Sequence, residues 1–381
     1  MNQGIVIIGL QPQGLALLQS LGPYHKDLHV LIDGRLNRCF EEYSRYGRKY
    51  HFDSLQSLAV ILEDIQRQYS DKLNCFITSA YLLTEIRSDY RELYDRYNVF
   101  SSPLKWVDLF STKHLMYDFV RSFGVKTMNY IPLTEYKHGV LKFPLILKRN
   151  VEFFLSFKTK LVESEAEFDA FVSSIPDNPN HIIVQELITG NDQSDLAFHA
   201  YVHRGKVMGS FVVEEVRHYP TGISTFLREC DDEISVQITE TSRQFIEQTE
   251  YTGFIQIDYK YLSDSRTPLI MDINTRTPAS HSAFRTKFVN STEFYTDILN
   301  PVRLIPKKNR LTWISIVGDI RARIHTRDFS NIGSMFSSTW DVFDKRDILP
   351  FLLWFIIPTY YRIKSFIISH LCSVQKNISR K

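Results

Sequence analysis

An apolar segment near residue 270 carries three polar side chains whose types suit metal and phosphate chemistry. The segment LIMDINTR extends from Leu269 to Arg276 and predicts a buried strand, yet Asp272 interrupts the apolar residues. Alternation along an extended chain puts Asp272, Asn274 and Arg276 on one face. Because a buried charge is costly without partners, we expect this face to meet a ligand or opposite charges.

A second acid is expected to face the first. The segment FIQIDYKYLSDSRTPLIMDINTR (254–276) predicts a hairpin with its turn near Asp264 and Ser265. Asp258 on the outgoing strand would then lie opposite Asp272 on the returning strand. Two adjacent carboxylates repel each other, and burial raises the pKa of at least one of them, unless a cation lies between them.

The amide oxygen of Asn274 would add a third ligand on the same face as the two carboxylates. Such an oxygen-only site suits Mg²⁺ with phosphate oxygens completing the octahedron. Arg276 would then meet the negative charge of a transferring phosphoryl group or of an acyl oxyanion. The alternative is a hairpin end braced by an ion pair between Asp272 and Arg276.

Length and composition are those of a folded globular protein. The chain has 381 residues, 44% hydrophobic and 23% charged, which allows two or three domains with a sizeable core. A net charge of +2 without a long Lys/Arg block argues against a nucleic-acid partner. The four cysteines show no CxxC or Cys/His spacing, which disfavours disulfides and zinc and favours a reducing cytosol.

The first hundred residues predict an α/β unit with a parallel sheet. GIVIIGLQPQGLALLQSLG (4–22) predicts a strand, a glycine turn and a helix, HVLIDGR (29–35) a second strand, and CFITSAYLLTEI (75–86) another strand and helix. Gly9 and Gly14 lack the GxGxxG spacing, so tight turn geometry is favoured over dinucleotide binding. We expect the first domain to end near Pro103.

Later segments predict the elements that surround the acidic hairpin. Helices are expected over 111–124, 166–175 and 233–253, the last ending at Gly253. FPLILKRN (143–150) and HIIVQELITG (181–190) predict strands, and Lys148 ends the first of them. Residues 194–222 predict a second hairpin, with Arg204 and Gly205 near its tip.

The order of these motifs resembles the ATP-grasp superfamily over roughly 106–300. Lys113 is followed by PLILK, VQELITG, GFIQID and MDINTR, and the last is similar to the metal-binding E-x-N-x-R strand of biotin carboxylase and the D-alanine–D-alanine ligases. The resemblance implies an α/β (α+β grasp) fold. It comprises a Rossmann-like pre-ATP-grasp domain (1–105), a two-lobed ATP-grasp domain (106–300, divided into a small lobe 106–185 and a large lobe 186–300) and a helical C-terminal extension (301–381).

The resemblance also implies ATP and Mg²⁺, or Mn²⁺, between the two lobes. Asp258, Asp272 and Asn274 would hold the metal, although Asp272 is one methylene shorter than the usual Glu. The nucleotide contacts that it implies are Lys113 and Lys148 for the phosphates, Gln185, Glu186, Leu187 and Ile188 for adenine, and Asp192 or Asp195 for the ribose. The segment 150–160 lacks the glycine-rich flap of the superfamily, and Lys158 or Lys160 would close over the phosphates instead.

The segment EEVRHYPTGISTF (214–226) points to a substrate class. It resembles the R-x-Y-P-x-G stretch of ATP-grasp proteins encoded with bacterial cell-wall and surface-polysaccharide genes, among them D-aspartate ligase-like carboxylate–amine ligases. The resemblance implies an ATP-dependent ligase that joins a small-molecule carboxylate to an amine such as an amino acid, with Arg217 and Arg276 as catalytic cations. His218 is either a base or a structural residue. The alternatives are a carboxylase or phosphotransferase and a non-catalytic nucleotide-binding scaffold.

The two ends of the chain bear on localisation. The start MNQGIVIIGL predicts a strand and not a signal peptide. The segment 349–371 is strongly apolar, but Pro358, Arg362 and Lys364 interrupt it, so it is a poor transmembrane helix. It predicts either an interfacial helix on anionic lipid, which would suit a lipid-linked acceptor, or a helix packed on protein. We expect a cytoplasmic protein, alternatively peripheral at the inner face of the membrane, and its oligomeric state is open.

Overall fold

The computed structural model describes residues 4–36, 40–151, 157, 159–188, 193–220, 222–230, 232–262, 265–330 and 332–355. The strands are β1 (Ile5–Ile8), β2 (Leu28–Asp33), β3 (Arg48–Phe52), β4 (Asn74–Ile77), β5 (Asn98–Val99), β6 (Ile131–Pro132), β7 (Leu145–Arg149), β8 (Thr159–Val162), β9 (Ile182–Glu186), β10 (Gln193–His203), β11 (Lys206–His218), β12 (Ser224–Glu229), β13 (Gly253–Leu262), β14 (Thr267–Asn274), β15 (Thr312–Ile314) and β16 (Thr339–Trp340). The helices are α1 (Pro12–Leu21), α2 (Leu55–Gln66), α3 (Ala80–Asp89), α4 (Leu93–Arg96), α5 (Leu104–Phe110), α6 (Lys113–Arg121), α7 (Glu165–Ser174), α8 (Asp232–Ile246), α9 (Ser282–Lys287), α10 (Ser291–Thr296), α11 (Ile316–Thr326) and α12 (Ser334–Ser337).

The first sheet is the parallel α/β unit that the sequence predicts. Its five strands have the order β3-β2-β1-β4-β5, and β1 pairs in parallel with both β2 and β4. At the turn from β1 to α1, Gly9 has a φ of +88° and a Cβ on Gly14 would lie 2.5 Å from the Gly9 carbonyl oxygen. The two glycines therefore serve close backbone packing, as the tight-turn interpretation predicts.

The second sheet is small and antiparallel, with the order β6-β9-β7-β8. Ser164 begins α7 by accepting a hydrogen bond from the backbone N–H of Glu167. The helix then covers one face of the sheet, where Phe168 packs with Leu145 and Leu147 in a separate apolar core. The other face of β7 carries Lys148.

The third sheet has seven strands in the order β14-β13-β10-β11-β12-β15-β16. One face packs on α8, where Ile238 and Phe245 join the core with Ile257. The opposite face bears Asp258, and part of it is covered by α9 and α10, whose Phe284 and Phe294 belong to a second core. We call this second face the cleft face, because its uncovered part is turned towards the small sheet.

The region after residue 300 adds strands to the large sheet as well as helices. β15 pairs with β12, and β16 pairs with β15. In the same region Phe351 and Trp354 pack beside Val342 and Phe40, which ties the segment to the first domain. The apolar segment predicted over 349–371 lies outside the described residues from 356 onward.

The predicted end of the helix at Gly253 is wrong. α8 ends at Ile246, and the following backbone forms turns in which Thr249 N–H donates to the Ile246 carbonyl. Gly253 has a φ of +146° and begins β13 instead. The helical pattern of the sequence extends beyond Ile246 into residues that form a turn, and Gly253 marks the start of the next strand and not the end of the helix.

Candidate active site

The two acids of the hairpin β13–β14 face each other. Asp258 and Asp272 are direct partners in the strand register, and Met271, next to Asp272 on β14, forms a bulge because Tyr259 is paired with Ile270. Asp258 accepts hydrogen bonds from the amides of Gln256 (2.7 Å) and Asn274 (3.1 Å). Asp272 keeps 36% of its side chain exposed, and its Oδ1 accepts from the Lys113 Nζ at 2.9 Å.

The electrostatics of the two acids differ. Burial, together with the charges of Glu215 and Asp272, raises the pKa of Asp258 to about 8. Burial would also raise the pKa of Asp272, but the ammonium groups of Lys113 and Lys148 hold it below its ordinary value. At neutral pH Asp258 therefore holds a proton that a cation between the two carboxylates would displace.

The donor set fits a hard divalent cation whose remaining ligands come from elsewhere. Among the described residues, no group of three or more His, Cys, Asp and Glu side chains is arranged to hold a metal ion. Two facing carboxylates and the nearby Asn274 supply only part of an octahedron. Mg²⁺ commonly completes its octahedron with water and substrate phosphates when a protein supplies one or two carboxylates.

Two lysines approach these acids from the small-sheet side. Lys148 lies at the end of β7 and Lys113 opens α6, where its backbone N–H donates to the Asn150 carbonyl at 2.7 Å. Both lysines, Asp258 and Asp272 line one cavity of about 200 Å³. Burial and the neighbouring Lys113 ammonium lower the pKa of Lys148 to about 8.

Some predicted phosphate contacts are not brought to this cavity. Lys148 is paired with Thr159 across β7 and β8, whereas Lys160 is paired with Leu147. Lys160 therefore points to the α7 face, where its Nζ lies 2.9 Å from a Glu167 carboxylate oxygen. Lys158 and Asp192 lie outside the described residues.

Sequence reasoning missed other residues around the cavity. Ser111, Arg149, Thr159 and Gly222 also line it. Arg149 directly follows Lys148, so the ending LKR of β7 was the available signal for it. Gly222 comes from the loop after β11, and only the tertiary structure brings that loop to the cavity that the lysines and carboxylates line.

The segment Gln185–Ile188 leaves the small sheet beside the cavity. Gln185 is fully buried and donates to the Tyr117 hydroxyl (3.1 Å), which in turn donates to the Met271 carbonyl (3.0 Å). This chain of hydrogen bonds joins β9 of the small sheet to β14 of the large sheet through α6. The Glu186 carboxylate accepts a hydrogen bond from the Lys142 N–H at 2.8 Å. The Leu187 N–H donates to the Pro144 carbonyl at 2.9 Å.

Ile188 packs against the first core. Asp195, the alternative to Asp192, is ion-paired with Lys260 at 2.6 Å. The adenine contacts of 185–188 and the ribose contact of Asp195 both stay predictions.

The two predicted catalytic arginines lie in different surroundings. Arg276 Nη2 lies 3.4 Å from the Asn274 Oδ1, next to the acids. Arg217 is ion-paired with the fully buried Asp319 of α11 and lies over the Phe226 ring. Arg217 is thus turned to the α11 side of the sheet, and the structure does not bring it to the carboxylates.

A bulge in β11 explains the position of Arg217. In the register of β11 with β12, Glu215 is opposite Leu227, but Arg217 is opposite Phe226. Adjacent residues of β12 point to opposite faces. Glu215 therefore takes the cleft face, where its charge acts on Asp258, a contribution that sequence reasoning missed.

A small antiparallel sheet and a large sheet that enclose lysines and facing carboxylates define a known architecture. This chain has the ATP-grasp fold. Solved structures with the same fold include the biotin carboxylase domain of 2-oxoglutarate carboxylase from Hydrogenobacter thermophilus, in complex with MgADP, ADP and bicarbonate (TM-score 0.62, 10% identity, covering 81% of this chain and 73% of that one). Another is the L-amino acid ligase from Bacillus licheniformis (TM-score 0.60, 12% identity, covering 79% and 75%).

The sequence itself is similar to a ligase. D-aspartate ligase from Enterococcus faecium (strain Aus0004) is 28% identical over 170 residues, which span 41% of this chain and 40% of that protein. The chain therefore matches less than half of the length of this curated relative. No family model matches the chain.

Proposed function

We propose that this protein is an ATP-dependent ligase that joins a carboxylate to an amine through an acyl phosphate, with Mg²⁺ (or Mn²⁺) as its metal. The observation that carries the proposal is the pair Asp258 and Asp272, which face each other across from Lys113 and Lys148 in one cavity. Carboxylates on one wall and ammonium groups on the other match the two halves of a metal–triphosphate complex.

The lysines have the positions needed to bind phosphates. Lys148 is buried at the cavity, and among the described residues no carboxylate lies as close to its ammonium group as Asp272 lies to that of Lys113. On nucleotide binding, Lys113 would exchange Asp272 for a phosphate oxygen, which frees the carboxylate for the metal. The bound metal would neutralise charge on the β- and γ-phosphates, while Asp258, Asp272 and Asn274 would hold it in place.

The remaining chemistry is positioning and charge stabilisation. A substrate carboxylate attacks the γ-phosphorus of ATP, the bond to the bridging oxygen breaks, and ADP leaves with the electron pair. An amine then attacks the acyl carbon, and inorganic phosphate leaves as the amide forms. Arg276, beside Asn274, is placed to stabilise negative charge on the phosphoryl group and on the tetrahedral oxyanion. A role for Arg217 requires that its pair with Asp319 open.

The substrate class is proposed from sequence likeness. The segment R-H-Y-P-T-G (217–222) and the similarity to D-aspartate ligase support a ligase that attaches an amino acid to a bacterial cell-wall or surface-polysaccharide precursor. The likeness to L-amino acid ligase shows the fold alone and agrees with that chemistry. A cytoplasmic enzyme would meet such precursors either free or linked to lipid.

A lipid-linked acceptor would fit peripheral membrane contact through the apolar C-terminal segment. No helix in the described part of the chain is both long and apolar enough to cross a bilayer. Sedimentation with anionic liposomes tests the contact by comparing the full chain with one that ends at Phe355. Truncation there preserves Phe351 and Trp354, which pack inside the fold. Equal recovery of both chains would reject the contact.

The second candidate is a carboxylase, in which bicarbonate is the activated carboxylate. It is favoured by the fold-level likeness to the biotin carboxylase domain solved with MgADP and bicarbonate. Activity that requires bicarbonate, and no other carboxylate, would identify this chemistry.

The assay for the main proposal follows nucleotide products. The protein is incubated with Mg-ATP, a panel of carboxylates that begins with D-aspartate, and a panel of amino acids as amines. ADP and phosphate release that depends on both partners is the expected result. AMP and pyrophosphate would indicate adenylation and contradict the acyl-phosphate scheme, and no nucleotide turnover with any pair would favour the non-catalytic scaffold.

A further inference from the structure

A histidine–carboxylate pair lies on the cleft face beside the proposed site. His218 Nε2 is 3.0 Å from the Glu215 Oε2, and the two side chains expose only 24% and 16% of their surfaces. Ser224, the register partner of His218 on β12, donates a further hydrogen bond to Glu215. A carboxylate that fixes an imidazole in this way is the arrangement by which enzymes orient a general base.

The loop that follows His218 reaches the cavity that Lys148 and Asp272 line. His218 ends β11, and the chain then turns through a loop closed by a hydrogen bond from Tyr219 N–H to the Ile223 carbonyl at 2.8 Å. Gly222 of this loop lines the same cavity as Lys148 and Asp272. The loop that follows His218 therefore borders the space where an acyl phosphate would form.

The proposed reaction needs a proton acceptor that the site described above does not supply. An amino-acid amine is mainly an ammonium ion at neutral pH, and it must lose a proton before its lone pair can attack. Asp258 and Asp272 would be engaged by the metal, and the lysines and Arg276 are cations opposite phosphate. Imidazole is the side chain whose protonation state changes near neutral pH.

We infer that His218 accepts a proton from the ammonium group of the incoming amine, with Glu215 orienting the imidazole and stabilising the imidazolium. This inference rests on the proposed ligase function. The ammonium N–H bond breaks and its proton moves to the imidazole nitrogen. The freed lone pair forms the bond to the acyl carbon, and phosphate leaves with the electrons of the carbon–oxygen bond. The second nitrogen proton is lost to the departing phosphate or to water as the amide forms.

The charges around the pair support a base that is stronger than free imidazole. The hydrogen bond to Glu215 raises the pKa of His218, although burial opposes it. The charge of Asp195 on β10 also raises the pKa of His218, whereas the charge of Lys260 on β13 lowers it. The rate of amide formation should therefore fall as pH decreases through the raised pKa of His218. Glu215→Gln removes the negative charge, so it should move that acidic limb to lower pH.

A comparison of two nucleophiles shows whether His218 acts as a base or only braces the fold. Hydroxylamine is largely unprotonated at neutral pH and needs no base, whereas an amino-acid amine does. Both assays use as substrate the carboxylate that supports ADP release by the wild-type chain. We expect His218→Gln to retain acyl hydroxamate formation within about 3-fold and to lose about 100-fold in kcat/KM for the amino-acid amine, the range of general-base effects.

A second histidine–carboxylate pair provides the matched control. His138 lies 3.1 Å from Asp169 and 3.3 Å from Glu165 on the outside of the small lobe, and His138→Gln should leave both reactions unchanged. If His218→Gln lost activity equally with hydroxylamine and with the amine, the pair would be a structural brace and the inference would be overturned. Unchanged activity of His218→Gln with both nucleophiles would overturn it as well. If the wild-type chain released no ADP with any carboxylate and nucleophile, the proposed function itself would fail, and the inference with it.

Discussion

Lys113 Nζ lies 2.9 Å from the Asp272 Oδ1, so the lysine that begins α6 directly neutralises one of the two facing acids. The contact joins α6 to β14 across the cleft. Because the other acid, Asp258, holds a proton at neutral pH, the pair carries about one negative charge against that lysine. Binding of a metal–nucleotide complex would have to release Lys113 from Asp272 and displace the proton from Asp258.

Asp272→Asn should strongly reduce turnover while the fold is kept. The amide is similar in size but carries no charge for the metal, so we expect kcat to fall by about 10²–10³-fold, as when other transition-state charge stabilisers are removed. Steady-state ADP release measures the loss, and circular dichroism checks the fold. Asp118→Asn, at a 62% exposed position of α6, is the control. Wild-type rates in Asp272→Asn would remove the metal assignment.

Asp258→Asn should stabilise the protein in the absence of metal, although it inactivates it. The folded-state pKa of Asp258 is about 8, above the unfolded value, so its contribution to stability is full at low pH and is lost as pH rises towards 8. Removal of the carboxylate should therefore raise the free energy of unfolding more at pH 8 than in mild acid, by about 1–3 kcal/mol. Thermal unfolding in EDTA measures it. A loss of stability at both pH values would contradict the electrostatic account.

Lys148→Met should weaken nucleotide binding by about 10–100-fold, the effect expected when a charged hydrogen bond is lost. In the wild-type chain Lys148 is protonated below its pKa of about 8 and loses its charge above that value. Both chains share the proton that the metal displaces from Asp258, so the ratio of wild-type to variant affinity for MgADP should fall as pH rises through about 8. Calorimetric titration provides both results.

Lys160→Met is the matched control for that experiment. Its ammonium group is paired with Glu167 on the other face of the small sheet, so MgADP affinity should change less than 2-fold. A large loss of affinity in Lys160→Met would mean that the small lobe rearranges on binding, as the flap prediction from the sequence requires.

The hairpin and its facing acids were predictable because both follow from the two-residue period of strands. The alternation over Gln256–Lys260 and over Asp272–Asn274 fixes which side chains share a face once the turn is located, although a bulge at Met271 interrupts the alternation earlier in β14. The parallel first sheet was predictable for a related reason, since short apolar strands that alternate with helices leave few other topologies.

The positions of Arg217 and Lys160 were not predictable from the same pattern. A single extra residue in β11 moves Arg217 from the face of Glu215 to the opposite face, and composition does not reveal a bulge. For Lys160, only the register with β7 decides which of two adjacent residues faces the cleft. Contacts between elements distant in sequence, such as Arg217 with Asp319, depend on tertiary structure that no local spacing encodes.

Arg217→Met should mainly destabilise the fold. Asp319 is fully buried between Arg217 and Arg323, and removal of one guanidinium leaves part of its charge uncompensated. We expect a loss of about 3 kcal/mol in the free energy of unfolding, measured by urea denaturation. The triple variant Arg217→Met/Asp319→Leu/Arg323→Met leaves no member of this charge cluster without its partner, so it should recover much of the lost stability. If Arg217→Met kept its stability and lost only kcat, the arginine would be catalytic as the sequence first indicated.

A crystal structure with magnesium and a non-hydrolysable ATP analogue tests the central claim most directly. We expect a cation between Asp258 and Asp272, at about 2.0–2.1 Å from their carboxylate oxygens. We also expect phosphates in contact with Lys148, and Lys113 released from Asp272. A nucleotide bound elsewhere, or phosphates in this cavity with no cation between the two acids, would contradict it.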